Sequence, residues 1–194
     1  MYDGFVTIVT GLPRSGTSMM MRMLESGGMP VLVDHLRTPD EDNPRGYYEF
    51  EPVKQIETDQ AWLADANGKA VKMVAALLKH LPTNYRYRII FMRRNLQEVL
   101  ASQRQMLVRK GETADELADG QMEAMFAKHV ARIQAWLAQQ HNMDVLYVQY
   151  GEVLERPAEQ AARINRFLGD SLDTAGMQTA VDSRLYRQRL GTSN

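Results

Sequence analysis

A run of β-branched and apolar residues, Phe5-Val6-Thr7-Ile8-Val9-Thr10, passes directly into Gly11-Leu12-Pro13-Arg14-Ser15-Gly16-Thr17-Ser18. The first part reads as a strand buried in a parallel sheet, and the apolar run that begins at Ser18 reads as a helix start. A strand, a glycine loop and a helix N-terminus together make an anion cradle, because unpaired backbone N–H groups and the helix dipole converge on one spot. Gly11 and Gly16 have the five-residue offset of a phosphate-binding loop, closed by Thr17-Ser18. The lysine that ordinarily completes such a loop is missing. Thr17 stands in its place and Arg14 is the loop's cation, so the stretch predicts a cradle for an anionic nucleotide outside the ATP and GTP pattern.

The remaining chain alternates apolar runs with helical periods. Residues 18–28 read as a helix stopped by Gly27-Gly28 and Pro30, with Met19, Met20, Met21 and Met23 as core filler. Val31–Val33 is a short strand candidate, and residues 34–50 form a long polar loop punctuated by Pro and Gly. A helix is expected over 51–66, a strand over 70–74, a short helix over 75–81 and a strand over 85–92. Helices over 96–108 and 121–140, a strand over 144–150 and a helix from Pro157 to Gly169 complete the pattern. This alternation predicts a single domain over 1–194 of the α/β class: three α/β/α layers around a mostly parallel sheet of about five strands.

Composition removes several alternatives. A net charge of −1 provides no basic field for nucleic acid, and zero cysteines exclude disulfides and thiolate metal sites. No apolar run approaches the about 18 residues of a membrane span. The chain also leaves no room for a leader before its first strand, so a cytoplasmic protein is expected.

In parallel sheets ligands sit beyond the carboxyl ends of the strands. That rule selects the 11–18 loop, Arg93-Arg94-Asn95 and Tyr150. Seven cations lie between 86 and 110 against Glu98 alone; Arg86, Arg88, Arg104, Arg109 and Lys110 read as a solvated face. Arg94 is different, because Ser102 follows it by eight residues, a little over two helical turns, and returns to the side that Arg94 caps. An arginine fork and a hydroxyl suit a second phosphate. The expected strand ends carry no Asp or Glu to hold Mg²⁺, so a nucleotide with both 5′ and 3′ anionic groups fits better than ATP.

At these residues the chain resembles the sulfotransferases that use 3′-phosphoadenosine-5′-phosphosulfate (PAPS), and small bacterial members in particular. Gly-Leu-Pro-Arg-Ser-Gly-Thr at 11–17 is similar to their 5′-phosphosulfate loop, and Arg94 through Ser102 to their 3′-phosphate segment. Val145–Tyr150 resembles the strand whose terminal Tyr faces the nucleotide, and Asn43–Glu49 a stretch of the bacterial members. The resemblance implies a PAPS-dependent sulfotransferase with Arg14, Ser15, Gly16, Thr17, Ser18, Arg94, Ser102 and Tyr150 at the donor. It implies metal-independent, in-line transfer to a small-molecule or glycan hydroxyl or amine. Two family features are missing: the histidine two positions after a strand lysine falls on Val74 when counted from Lys72, and the Arg-Lys-Gly lid has no match. His80 reads as a helix-end residue, and Leu185-Tyr186-Arg187 is the candidate substitute lid. The family's glutamate base falls in a region that here offers Asp34 and His35, then Glu49, with Arg45, Tyr47 and Tyr48 as candidate acceptor contacts. An atypical kinase using ATP–Mg²⁺ and a catalytically silent nucleotide-binding protein are the rival readings.

Overall fold

The computed structural model describes residues 4–34, 36, 46–109 and 119–181. Five strands form one sheet: β1 (Val6–Gly11), β2 (Val31–Leu32), β3 (Ala70–Lys72), β4 (Tyr87–Arg93) and β5 (Met143–Gln149). Their order is β2-β3-β1-β4-β5 and every pairing is parallel. All six residues of β1 are buried, as its apolar and β-branched sequence requires of a central strand. The chain moves to one side of β1 for β2 and β3 and to the other for β4 and β5. The sheet therefore switches direction between β1 and β4, and a crevice opens beyond their carboxyl ends.

Alternate side chains feed two cores. On one face Val9, Ile90, Met92 and Val148 meet helix α1 (Thr17–Ser26), α4 (Tyr150–Glu155), α5 (Pro157–Phe167) and α6 (Thr174–Thr179). Met20, Met21 and Met23 of α1 are fully buried there, the packing role expected of them. On the other face Ile8, Val71, Ile89 and Phe91 meet α3 (Asp119–Leu137) through Leu137, Val130 and Ile133. Helix α2 (Leu96–Arg109) leads from the end of β4 toward that second face.

Several expectations change. The 51–66 helix is two 3-10 turns, Glu51–Gln55 and Ala61–Ala66. Between them Thr58 Oγ1 donates to the Gln55 carbonyl and Asp59 Oδ1 accepts from the Ala61 N–H, so short polar side chains divert the backbone from a helical ladder. Ile56, Trp62 and Leu63 are buried all the same. Tyr150 opens α4 instead of ending β5. Arg88 is no part of a solvated face: its guanidinium lies 3.9 Å from the Phe5 ring centre. Among the described residues no helix is long and apolar enough to cross a membrane.

Candidate active site

The loop between β1 and α1 is held in shape by close packing. Gly11 takes φ 151°, and a Cβ there would lie 2.5 Å from Ser15 Oγ and 2.6 Å from the Met92 carbonyl. Gly16 takes φ 99°, and its Cβ would fall 2.4 Å from Cδ2 of the Tyr150 ring. Arg14 is itself left-handed at φ 70°, a conformation that disfavours a side chain and that clusters at functional sites. Gly16 caps α1 without a side-chain hydrogen bond, so the N–H groups of the first turn face the crevice at the positive end of the helix dipole. Gly16→Ala should lower unfolding free energy by at least about 1–2 kcal/mol, read by urea denaturation, because the left-handed backbone and the Tyr150 ring both oppose a methyl.

The distant motifs meet at this loop. Arg14 Nε donates to Ser102 Oγ at 2.9 Å, and Arg94 Nη1 donates to the Arg14 carbonyl at 3.1 Å. Arg94 Nε also donates to Glu98 Oε2 at 3.0 Å, with both side chains less than a tenth exposed. The Arg94 guanidinium carbon lies 4.7 Å from the Tyr150 ring centre, and Tyr150 is buried against Gly16. Arg14, Arg94, Ser102 and Tyr150 are thus one cluster, with the arginine–serine pair against the loop.

The other flank of the loop, toward β3, carries the segment 46–50. Ser18 Oγ donates to the Tyr47 carbonyl at 3.3 Å, and Lys72 Nζ donates to the same oxygen. Lys72 Nζ also stands 3.9 Å from Glu49 Oε1, with about three-quarters or more of each side chain covered. Tyr48, left-handed at φ 52°, donates its hydroxyl to Glu25 of α1. Burial first, and then the Glu25 carboxylate, push the Tyr48 phenol up to about 12, so it remains a donor and latches the segment to α1.

Asp34 has a different job. Its carboxylate accepts the Leu36 N–H at 3.0 Å and the Glu51 N–H at 2.5 Å, and its own N–H donates to the Glu49 carbonyl at 3.1 Å. Desolvation raises this carboxyl, but the Glu51 and Leu36 N–H groups and the Lys54 charge outweigh it and hold it below its ordinary 3.8. A depressed carboxyl stabilises the fold fully above the unfolded value, and that contribution fades as the pH falls through the lower folded one. Asp34→Asn should therefore lower the melting temperature at neutral pH and show a shallower loss on acidification below about 4 than the parent.

His80 ends the 3-10 turn Ala75–His80, with Nε2 3.9 Å from Glu57, away from the crevice. His35, Arg45 and Arg187 lie outside the described residues. Among the described residues no group of three His, Asp or Glu side chains is placed to hold a metal ion. Sequence reading missed Lys72 and Glu98. An expected strand running to Val74 hid Lys72, whereas β3 ends at Lys72 itself, the position the carboxyl-end rule selects.

The sequence profile of the sulfotransferase domain matches residues 6–188. Among solved structures, the sulfotransferase domain of the Synechococcus PCC 7002 olefin synthase aligns at 13% identity and TM-score 0.57, over 95% of this chain and 80% of that one. Mouse sulfotransferase SULT7A1, complexed with PAP, aligns at 17% identity and TM-score 0.57, over 100% of this chain and 69% of that one. A sulfotransferase from Alicyclobacillus acidocaldarius aligns at 15% identity and TM-score 0.51, covering 93% and 87%. No curated protein matches the chain at a significant level.

Proposed function

Because the chain belongs to the sulfotransferase domain family, we propose that it moves a sulfuryl group from PAPS to the hydroxyl or amine of a small-molecule or glycan acceptor. The observation that carries this reading is the joining of Arg94 and Ser102 to the loop through Arg14, which brings the two segments proposed to bind the nucleotide's anionic groups into contact. In the proposed complex the N–H groups of Gly16, Thr17 and Ser18 hold the 5′-phosphosulfate, next to Ser15, whose own N–H closes the turn on the Leu12 carbonyl; Arg94 with Ser102 hold the 3′-phosphate beside Tyr150. Arg187 is the proposed lid contact.

The acceptor oxygen or nitrogen attacks sulfur in line, and the bond from sulfur to the bridging oxygen breaks. Charge builds on that oxygen, where the loop N–H groups and the Arg14 guanidinium neutralise it. A 3′-phosphate engaging Ser102 offers a replacement for the Arg14–Ser102 bond and lets the guanidinium turn toward the leaving oxygen. The acceptor's proton goes to a base. Glu49 is favoured because its carboxylate stands beside Lys72 on the open flank of the loop, whereas both Asp34 oxygens are occupied by backbone N–H groups. His35 is the comparison candidate. No step in this scheme requires a metal.

A thermal-shift series tests the reading. Adenosine 3′,5′-bisphosphate at about 100 times its Kd should stabilise the fold by about 2.7 kcal/mol without magnesium, while ATP–Mg²⁺ does little. The opposite ranking favours a kinase. A bisphosphate shift with no transfer to any acceptor in a labelled-sulfate screen favours a silent nucleotide-binding protein.

A further inference from the structure

β5 is the outermost strand of the sheet, and among the described residues no strand pairs with its outer edge. Successive residues of a parallel strand aim their backbone groups alternately at the neighbouring strand and away from it. The Tyr87 N–H donates to the Asn142 carbonyl, so the even-numbered residues of β5 turn toward β4. Met143, Val145 and Tyr147 therefore turn their N–H and carbonyl groups outward. Arg163 of α5 reaches over this edge and donates from Nη2 to the Tyr147 carbonyl at 3.0 Å. Among the described residues that is the sole hydrogen bond to the outward row.

Proteins normally blunt such an edge with lysine, proline or a bulge. The strand Met-Asp-Val-Leu-Tyr-Val-Gln contains no lysine or proline, and it pairs with β4 residue for residue, without a bulge. Val145, Leu146 and Tyr147 are only half-buried, so the apolar rim of the sheet stays open here. Two opposite charges flank it. Asp144 and Arg163 are both exposed, and neither has an ion-pair partner among the described residues. Leu146 and Val148 pack with the core under α5, and alternation puts Asp144 on that same face, the face from which Arg163 reaches over.

We propose that β5 pairs antiparallel with β5 of a second copy across a two-fold axis, joining two five-stranded sheets into one. The register centred on Leu146 sets Val145 opposite the partner's Tyr147, where their outward backbone groups bond to each other. The axis repeats that β-branched–aromatic pair, and Leu146 meets its own copy. Asp144 comes opposite the partner's Val148, beside the carbonyl that the partner's Arg163 holds. That guanidinium yields the carbonyl to the incoming strand and turns to the Asp144 carboxylate. An unrelated strand could use the backbone edge but would lack this charge match, so a second copy is the occupant. Because the strands run in opposite directions, the two crevices open at opposite ends of the joined sheet and stay free. The inference stands on the edge and its charges, independently of the sulfuryl-transfer reading.

Sedimentation equilibrium on the full chain, from about 1 to 100 µM, reads the assembly. The parent should form a dimer that weakens as salt is raised. Asp144→Arg and Arg163→Asp each set like charges against each other on both sides of the axis, and each alone should weaken the dimer about 100-fold or more. Mixed in equal amounts, the two variants should form a heterodimer, because one chain is then cationic at both positions and the other anionic. Such recovery cannot come from a misfolded chain. A parent that stays monomeric throughout the range overturns the proposal. So does a dimer that neither reversal weakens, or a pair of variants that stay monomeric when mixed.

Discussion

Arg94→Ala is expected to erase the distinction between adenosine 3′,5′-bisphosphate and 5′-AMP. Affinity for the bisphosphate should fall about 10- to 100-fold, the worth of a charge-assisted hydrogen bond, while 5′-AMP binding changes little. The substitution has a second consequence, because Arg94 shields Glu98 in a pair that is almost wholly buried. Breaking that buried pair should cost about 3–5 kcal/mol of stability. The double variant Arg94→Met with Glu98→Gln separates the two effects: it should recover most of the stability yet remain blind to the 3′-phosphate. Calorimetric titration of both nucleotides, beside urea denaturation, reads both. Equal losses for bisphosphate and 5′-AMP in the stable double variant would show that Arg94 does not read the 3′ group.

Glu49→Gln should lower turnover about 10²- to 10⁴-fold, the range of a lost general base, with bisphosphate affinity unchanged. The amide keeps the shape of the side chain and its place beside Lys72 but cannot take a proton. Asp34→Asn should behave in the opposite way, losing stability and keeping turnover, because Asp34 spends its oxygens on the backbone of the Glu51 turn. Lys72→Met should depress kcat too, since its ammonium holds the Tyr47 carbonyl and stands beside Glu49. Should Glu49→Gln retain full turnover while His35→Ala abolishes it, the base is His35.

The parts of the site that could be read from the chain are those whose chemistry is local. A buried strand, a glycine at each end of a turn and a helix start lie within residues 5–18, and their backbone geometry follows from residue types. The Arg94–Ser102 spacing is equally local, running from the turn before α2 into that helix's second turn. The cross-links between these motifs are not local. Arg14 reaches Ser102 across 88 positions, and Tyr150 covers Gly16 because α4 turns back over the loop where the chain reads as a strand end. Lys72 was lost to a strand boundary two residues too long. Asp34 and Glu49 look alike as loop carboxylates; which of them is spent on backbone N–H groups depends on how the 46–55 segment folds back.

A crystal structure with adenosine 3′,5′-bisphosphate bound tests the central claim most directly. The expected result places the 5′-phosphate on the N–H groups of residues 16–18 and the 3′-phosphate on Arg94 and Ser102, with Tyr150 alongside and Arg14 released from Ser102. A nucleotide whose 3′-phosphate points away from Arg94 and Ser102, or one seated elsewhere on the sheet, would contradict it.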